Sequence, residues 1–312
     1  MEALVSKMQD ILNNIERVII GKREVAELML MALICKGHVL IEDVPGVGKT
    51  SMAAALAKSV DCSFRRIQFT PDIMPSDVTG FSVYNPQTGE FDYKPGPIMS
   101  HFILADEINR TSPKTQSSLL EVMEENQVTV DGVTYETPTP FMVLATQNPV
   151  EYLGTYPLPE AQLDRFFMKV TIGYPGQEEE SKMIGRFRQG NPMDTLEPVV
   201  SQSDVLALQN CSESIYVHDE IADYIVSLVR LTRSKDDLVS LGASPRGSIS
   251  LYKGAQAWAM YNNRDYVVPE DVQKMAPYIL QHRIMMKQEA RLKKITALDI
   301  IYQSLERVNP SV

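Results

Sequence analysis

Between residues 37 and 170, short apolar stretches alternate with stretches of helical character. The apolar stretches are HVLIE, FRRIQF, HFILADE, FMVLATQN and FFMKVTI, and the helical ones between them include SMAAALAKSV and SLLEVMEE. Short apolar runs that alternate with helices are typical of a mostly parallel sheet covered by helices on both faces. The pattern therefore predicts an α/β fold for this part of the chain.

Two segments interrupt this alternation and predict β-hairpin inserts. Residues 79–97 (TGFSVYNPQTGEFDYKPGP) contain the turn signals NP and TG, and residues 127–135 (QVTVDGVTY) contain DG between β-branched residues. Such dipeptides between alternating residues are characteristic of hairpin turns.

The strand pattern stops after Gly173, and helical segments follow it. They cover residues 178–188, 219–233, 245–261, 269–281 and 296–308. A chain of 312 residues is long enough for about two domains. We therefore expect an α/β core over residues 1–173 and an all-helical lid domain over residues 174–312.

Composition disfavours several classes of protein. The chain has 30 Lys and Arg against 40 Asp and Glu, a formal net charge of −10, which opposes general binding to nucleic acid. Cys35, Cys62 and Cys211 are far apart and lack CxxC spacing, so neither a disulfide framework nor a zinc site is indicated, and a cytoplasmic location fits best. The first residues carry charges throughout and lack the apolar run of a signal peptide, and the longest apolar run near them, residues 28–35, is too short to span a membrane.

The segment EDVPGVGKT, residues 42–50, predicts a phosphate-binding loop. It lies between an apolar strand and a helix and matches G-x-x-x-x-G-K-[ST], except that Asp43 replaces the first glycine. Lys49 can reach the β- and γ-phosphates, and the Thr50 hydroxyl can bind Mg²⁺. We expect Asp43 to point away from the phosphates. The expected nucleotide-binding residues are Pro45, Gly46, Val47, Gly48, Lys49, Thr50 and Ser51.

Further candidate residues end the next apolar strands. Asp106 and Glu107 follow FILA, at the end of a strand where α/β sheets bind ligands. We assign Asp106, with Thr50, to a metal ion and Glu107 to the general base. Asn148 follows FMVLATQ and is placed to orient the attacking water, although an Asn before proline also suits a plain turn.

Together these segments resemble an AAA+ ATPase, and more narrowly the MoxR family, over nearly the whole chain. EDVPGVGKT resembles the Walker A loop of the family, FILADEINR its Walker B segment, TQNP its sensor 1 segment, LPEAQLDRF the segment with the trans-acting arginine, and SPR at residues 244–246 its sensor 2. The resemblance implies ATP and Mg²⁺ as cofactors and a ring, most often a hexamer. It also implies that Arg165 completes the active site of the adjacent subunit and that Arg246 senses nucleotide.

The residues themselves support the two arginine assignments unequally. Ser244 and Pro245 predict the N-cap and first position of a helix, so Arg246 falls in its first turn, where a cation opposes the helix dipole and a phosphate would compensate it. A solvated Arg246 remains open. For Arg165 the alternative is an ion pair within the chain, with Asp164 or Glu160.

Three uses of the nucleotide are open: protein remodelling, movement along nucleic acid, and a switch without turnover. Residues 127–136 contain no Lys or Arg, and residues 79–97 contain only Lys94 against Glu90 and Asp92, which disfavours a phosphate backbone as client. Glu107 together with Asn148 disfavours the switch. The resemblance favours chaperone-like remodelling of a protein client, with a von Willebrand factor A domain partner; a magnesium-chelatase-type motor subunit is a further alternative. A basic cluster is interpreted as a solvated helical face: Arg283, Lys287, Arg291, Lys293 and Lys294.

Overall fold

The computed structural model describes residues 1–148, 154–187, 190–234 and 238–308. The described β-strands are β1 (Val39–Glu42), β2 (Phe64–Gln68), β3 (Gly80–Asn85), β4 (Glu90–Pro95), β5 (Phe102–Asp106), β6 (Gln127–Val130), β7 (Val133–Glu136), β8 (Met142–Gln147), β9 (Met168–Val170), β10 (Val239–Leu241) and β11 (Met285–Met286). The described α-helices are α1 (Glu2–Glu16), α2 (Arg23–Ile34), α3 (Lys49–Ser59), α4 (Pro75–Thr79), α5 (Pro113–Glu125), α6 (Glu160–Leu163), α7 (Gln177–Phe187), α8 (Gln202–Glu213), α9 (Asp219–Leu231), α10 (Pro245–Tyr261), α11 (Pro269–Leu280), α12 (Gln288–Leu292) and α13 (Ala297–Arg307).

The central sheet is parallel and has the strand order β2-β5-β8-β1-β9. Every residue of β5 is buried, and so are five of the six residues of β8. Continuous burial of this kind requires layers on both faces of a sheet, which explains why these strands read as unbroken apolar runs. The predicted α/β fold is confirmed. The strand order makes β1, β5 and β8 neighbours, so the chain leaves all three at one common edge.

Both predicted hairpins are present as antiparallel pairs outside the central sheet. β3 pairs with β4, and β6 pairs with β7. The two inserts contact each other through the rings of Tyr93 and Tyr135, which are stacked with their centroids 4.1 Å apart. Aromatic stacking therefore joins the inserts into one projection.

The region after β9 is mainly helical, as expected, and also contains a small antiparallel pair, β10 and β11. The expectation of an all-helical lid was wrong in this detail, because segments of three and two residues are too short to show a strand period. Helices α8 and α12 were not predicted either. Arg188, at the end of the predicted helix 178–188, lies outside the described residues. None of the described helices is long and apolar enough to cross a membrane.

Candidate nucleotide-binding and catalytic site

The loop between β1 and α3 places two glycines in the left-handed region of backbone conformation. Gly46 has a φ of +87° and Gly48, the N-cap of α3, a φ of +90°. A Cβ at either position would meet no atom within 4 Å, so the loop requires glycine for its backbone angles. The turn leaves the first N–H groups of α3 without helical partners at the carboxyl edge of the sheet, an arrangement that favours anions.

Asp43, which replaces the first glycine of the loop pattern, uses its carboxylate on the backbone. Oδ1 accepts a hydrogen bond from the Val44 N–H at 2.8 Å, and Oδ2 accepts from the N–H groups of Ile172 at 2.8 Å and Gly173 at 2.6 Å. Asp43 is buried. Its carboxylate is therefore directed toward the chain that leaves β9, as expected of a side chain that does not serve the phosphates.

A cleft of about 360 Å³ opens beside the loop. Within it, Lys49 donates from Nζ to the carbonyl oxygen of Asp43 at 3.0 Å. Val47 does not line the cleft, because its side chain packs against the hydrophobic core, so any contact with a ligand would come from its backbone. The residues that line the cleft are Pro45, Gly46, Gly48, Lys49, Thr50, Ser51, Arg66, Gln68, Asp106, Glu107 and Asn148.

Asp106, at the end of β5, is buried and both of its carboxylate oxygens are engaged. Oδ1 accepts from the Thr146 hydroxyl at 2.6 Å, and Oδ2 accepts from Nη2 of Arg66 at 2.5 Å. Thr50 lines the same cleft. A carboxylate and a hydroxyl are ligands that Mg²⁺ takes together with phosphate oxygens and water, so these residues fit a magnesium ion that arrives with a nucleotide.

Phosphate oxygens and water would complete the coordination of such an ion. No group of three or more His, Cys, Asp and Glu among the described residues could hold a metal ion. Arg66 already contacts the Asp106 carboxylate, so a metal ion bound there has to compete with this guanidinium for the same oxygen.

Glu107 has a strained backbone and an anchored side chain. Its φ of +58° is uncommon for a residue with a Cβ, and such strain is found preferentially at functional sites. Oε2 accepts from Nε2 of Gln68 at 2.8 Å and lies 3.4 Å from Nε of Arg110. The Glu107 N–H donates to the Thr146 hydroxyl at 2.8 Å. Asn148 is buried and lines the cleft from the end of β8, so base, metal carboxylate and amide converge.

Arg165 and Arg246 lie at the opposite, amino edge of the sheet. Arg165 precedes β9, and two residues later the Phe167 N–H donates to the carbonyl of His38, directly before β1. Both arginines contact Glu124 near the end of α5: Nη2 of Arg165 lies 3.0 Å from Oε2, and Nη2 of Arg246 lies 2.5 Å from Oε1.

The strands separate this edge from the cleft by roughly 15 Å, because each residue of a strand adds about 3.3 Å. The structure thus brings together the predicted residues of the phosphate loop, the metal site and the base, but it does not bring Arg165 or Arg246 to the cleft of their own chain.

The prediction for Arg283 was wrong. Instead of lying on a solvated basic face, its side chain is 1% exposed, and Nε donates to Oδ1 of Asp164 at 2.9 Å. Burial lowers the pKa of Arg283 to about 10, an effect that the Asp164 carboxylate opposes. The guanidinium therefore stays charged at neutral pH.

Sequence reasoning also missed four residues that shape the site: Arg66, Gln68, Thr146 and Glu124. Arg66 and Gln68 alternate on β2, the strand next to β5. Their polar side chains lie on the same side of the strand, but this pattern points to the cleft only once the strand order is known. Thr146 and Glu124 carry no such signal.

Comparison with known families agrees with this geometry. A model described as "ATPase family associated with various cellular activities (AAA)" matches residues 38–168, and an AAA lid domain model matches residues 232–303. The fold and the site thus define an AAA+ ATPase architecture, an α/β core followed by a helical lid.

The relatives narrow the class. Chaperone MoxR1 of Mycobacterium tuberculosis is 41% identical over 99% of this chain and 83% of its own length. The uncharacterized protein YeaC of Bacillus subtilis is 55% identical over 96% of this chain and 93% of its own. A crystal structure of a protein from Cytophaga hutchinsonii, 41% identical, has a TM-score of 0.92 and covers 99% of this chain and 96% of its own. The chain belongs to the MoxR family of AAA+ ATPases.

Proposed function

We propose that the protein hydrolyses ATP with Mg²⁺ and that a neighbouring copy of the chain completes each active site. The observation that carries this proposal is the placement of the two sets of residues at opposite edges of one sheet. Lys49, Asp106 and Glu107 lie at the carboxyl edge, whereas Arg165 lies at the amino edge. An arginine that cannot reach its own cleft is placed to act on another copy's, where it would stabilise the charge of the transition state.

Within the cleft each residue has a separate role. Lys49 and the backbone of residues 45–51 bind the phosphates, while Thr50 and Asp106 would hold Mg²⁺, which would supply charge neutralisation for the phosphates. Glu107 accepts the proton of the attacking water, and Asn148 orients that water. The engagement of Glu107 by Gln68 supports a base whose position is fixed before substrate arrives.

We place Arg246 beside Arg165 in this scheme. Ser244 caps α10 by accepting the Arg246 N–H at 3.1 Å, and the Arg246 side chain extends to Glu124. A contact between Arg246 and nucleotide would therefore also be made across the interface between two copies. The Glu124 carboxylate forms an ion pair with each of the two guanidinium groups in the isolated chain, so one negative charge faces two positive charges.

The hairpin inserts and the family both support a protein as the client on which the energy of hydrolysis is used. Phe91 and Tyr84 of the first hairpin are 70% and 54% exposed, and their rings lie 5.5 Å apart. An exposed aromatic pair beside Glu90 and Asp92 is suited to gripping polypeptide and unsuited to a phosphate backbone. We therefore propose that the chain forms a ring that remodels a protein client. The family resemblance suggests that this ring is a hexamer.

A partner with a von Willebrand factor A domain is suggested by the family resemblance alone. A cytoplasmic location is supported by the cysteines, since Cys35, Cys62 and Cys211 are free thiols.

The test is ATPase activity per subunit against protein concentration, with particle mass followed by light scattering. We expect activity to rise with assembly. Arg165→Ala should assemble and bind ATP but lose about 10³-fold in turnover, and Glu107→Gln should lose roughly 10²–10⁴-fold while it keeps ATP binding. Activity that is independent of concentration and survives Arg165→Ala would show that each subunit works alone.

A further inference from the structure

We infer that Arg283 is a positioning residue for Arg165: it fixes, from the lid, the short segment in which Arg165 lies. This inference rests on the proposed function, because it takes Arg165 to act on a neighbouring copy. Arg283 ends the 3₁₀ turn Gln281–Arg283, which follows α11, and it reaches back to the residues immediately before β9.

One guanidinium contacts the chain on both sides of Arg165. Nε donates to the carboxylate of Asp164 at 2.9 Å, and Nη2 donates to the carbonyl of Phe166 at 2.6 Å. Nη1 donates to the carbonyl of Phe167 at 3.1 Å. The residues before and after Arg165 are therefore bound to a single rigid, planar group.

Two more bonds from the lid converge on the same segment. The hydroxyl of Ser244, the N-cap of α10, donates to Oδ2 of Asp164 at 2.8 Å. Nε2 of His282 lies 3.0 Å from the carbonyl oxygen of Phe166. Asp164 is thus the shared attachment of Arg283 and of the helix that carries Arg246, so the two arginines of the amino edge are fixed relative to each other.

The Arg165 side chain has a different environment from the backbone that carries it. It is 30% exposed and contacts Glu124, itself 36% exposed, whereas Arg283 is buried. An exposed ion pair holds a side chain only weakly. The direction in which Arg165 leaves the protein is therefore set by the buried attachment of its backbone.

Burial of the Arg283 charge costs desolvation free energy, which would bring no advantage if the contact only joined the lid to the sheet. Apolar residues of similar volume often stabilise a contact as well as a buried ion pair does. A transition-state contact across an interface has a stricter requirement, because a displacement of about 1 Å can reduce the rate by about 10²-fold.

The experiment compares Arg283→Met, Arg283→Lys and the control Arg264→Met. Arg264 also comes from the lid and forms a two-bond ion pair with Asp271, but its guanidinium contacts Tyr266 and Asp271, both within the lid. We expect Arg283→Met to lose about 10²-fold in kcat and Arg283→Lys about tenfold, with ADP affinity within about twofold of wild type. Arg264→Met should keep kcat within about twofold despite a comparable loss of stability.

Mixed assemblies separate a positioning role from a merely structural one. Glu107→Gln subunits are expected to have little turnover of their own but carry an intact Arg283 and Arg165, so in an equimolar mixture they should serve the clefts of Arg283→Met subunits. We expect activity about tenfold or more above the sum of the two proteins measured separately. If Arg283→Met fails to fold, the same mixture is made with Arg283→Lys.

Two results would overturn the inference: a kcat of Arg283→Met within about twofold of wild type, or a mixture whose activity is only the sum of its parts. The proposed function fails separately. If Arg165→Ala keeps its turnover, no finger exists to be positioned; if Arg165→Ala loses turnover while Arg283→Met keeps it, the inference about Arg283 alone is wrong.

Discussion

The two edges of the central sheet are assembled in different ways. At the carboxyl edge, the functional residues follow their strands directly, in the loop after β1 and at the ends of β5 and β8. At the amino edge, they come from distant parts of the chain: Arg246 and Glu124 are 122 residues apart, and Arg283 and Asp164 are 119 residues apart. A ligand cleft is thus encoded in short contiguous segments, because the loops after parallel strands converge. The opposite face exists only once the lid has packed.

This difference makes the two edges separable by experiment. A substitution at the carboxyl edge should change nucleotide binding in an isolated subunit. A substitution at the amino edge should leave that binding intact and act on stability or on the neighbouring copy.

The largest effect on nucleotide binding is expected from Lys49→Met. It removes the ammonium that would bind two phosphates, and hydrogen bonds to charged groups contribute about 1.5–3 kcal/mol each. We expect the affinity for a non-hydrolysable ATP analogue, which carries both phosphates, to fall by about 10²-fold or more, measured by calorimetry on the subunit. Glu124→Gln is the matched control, since it alters a charged contact of two arginines at the other edge. A comparable loss of affinity in Glu124→Gln would contradict the separation of the edges.

The next largest effect is expected in the pH dependence of stability, through the buried His38 at the amino edge. Nδ1 of His38 accepts from the Val143 N–H at 3.0 Å, so the hydrogen bond of Nε2 to the Met123 carbonyl, at 2.9 Å, requires the neutral Nε2–H tautomer. Burial lowers the pKa of His38 from 6.5 to about 4, and the bond to Met123 opposes this shift. Protonation would place a second N–H on Nδ1, which could then no longer accept from the Val143 N–H, so the start of β8 at the amino edge would lose a backbone hydrogen bond.

The folded and the unfolded protein differ in the pH at which His38 binds a proton. Above pH 6.5 His38 is neutral in both the folded and the unfolded protein. Between pH 6.5 and about 4, His38 is protonated in the unfolded chain but stays neutral in the folded protein. As the pH falls from 6.5 to about 4, the free energy of unfolding should therefore decrease by about 3 kcal/mol. Urea unfolding of wild type and His38→Gln at several pH values tests it: the variant should show a flatter dependence, with a remainder from His282, whose pKa burial also lowers. Parallel curves would refute the assignment.

The comparison of the edges also explains what the sequence could predict. The parallel sheet, both hairpins and the cleft residues Lys49, Thr50, Asp106 and Glu107 follow from local patterns, because strand ends, glycines and turns are local properties. The burial of Arg283 could not be read in this way. Its neighbours at positions 287, 291, 293 and 294 are basic, and the packing of the 3₁₀ turn after α11 against α6 and β9 removes Arg283 from solvent.

The smallest effect on nucleotide binding is expected at the position where the loop departs from its pattern. Asp43→Gly should leave ADP affinity within about threefold of wild type, since the carboxylate serves the N–H groups of Ile172 and Gly173. Stability should fall by about 1–3 kcal/mol, because the buried Ile172 N–H loses its acceptor.

Calorimetric titration with ADP and urea unfolding of the same preparation separate these two effects, with Asp43→Asn as the control that retains an acceptor oxygen. Lys49 contacts the carbonyl oxygen of residue 43 and not its carboxylate, and glycine keeps that carbonyl. The lysine therefore keeps its partner in the variant. A tenfold or greater change in affinity would mean that the loop depends on its attachment to the chain after β9, and that Asp43 shapes the nucleotide site as well as the fold.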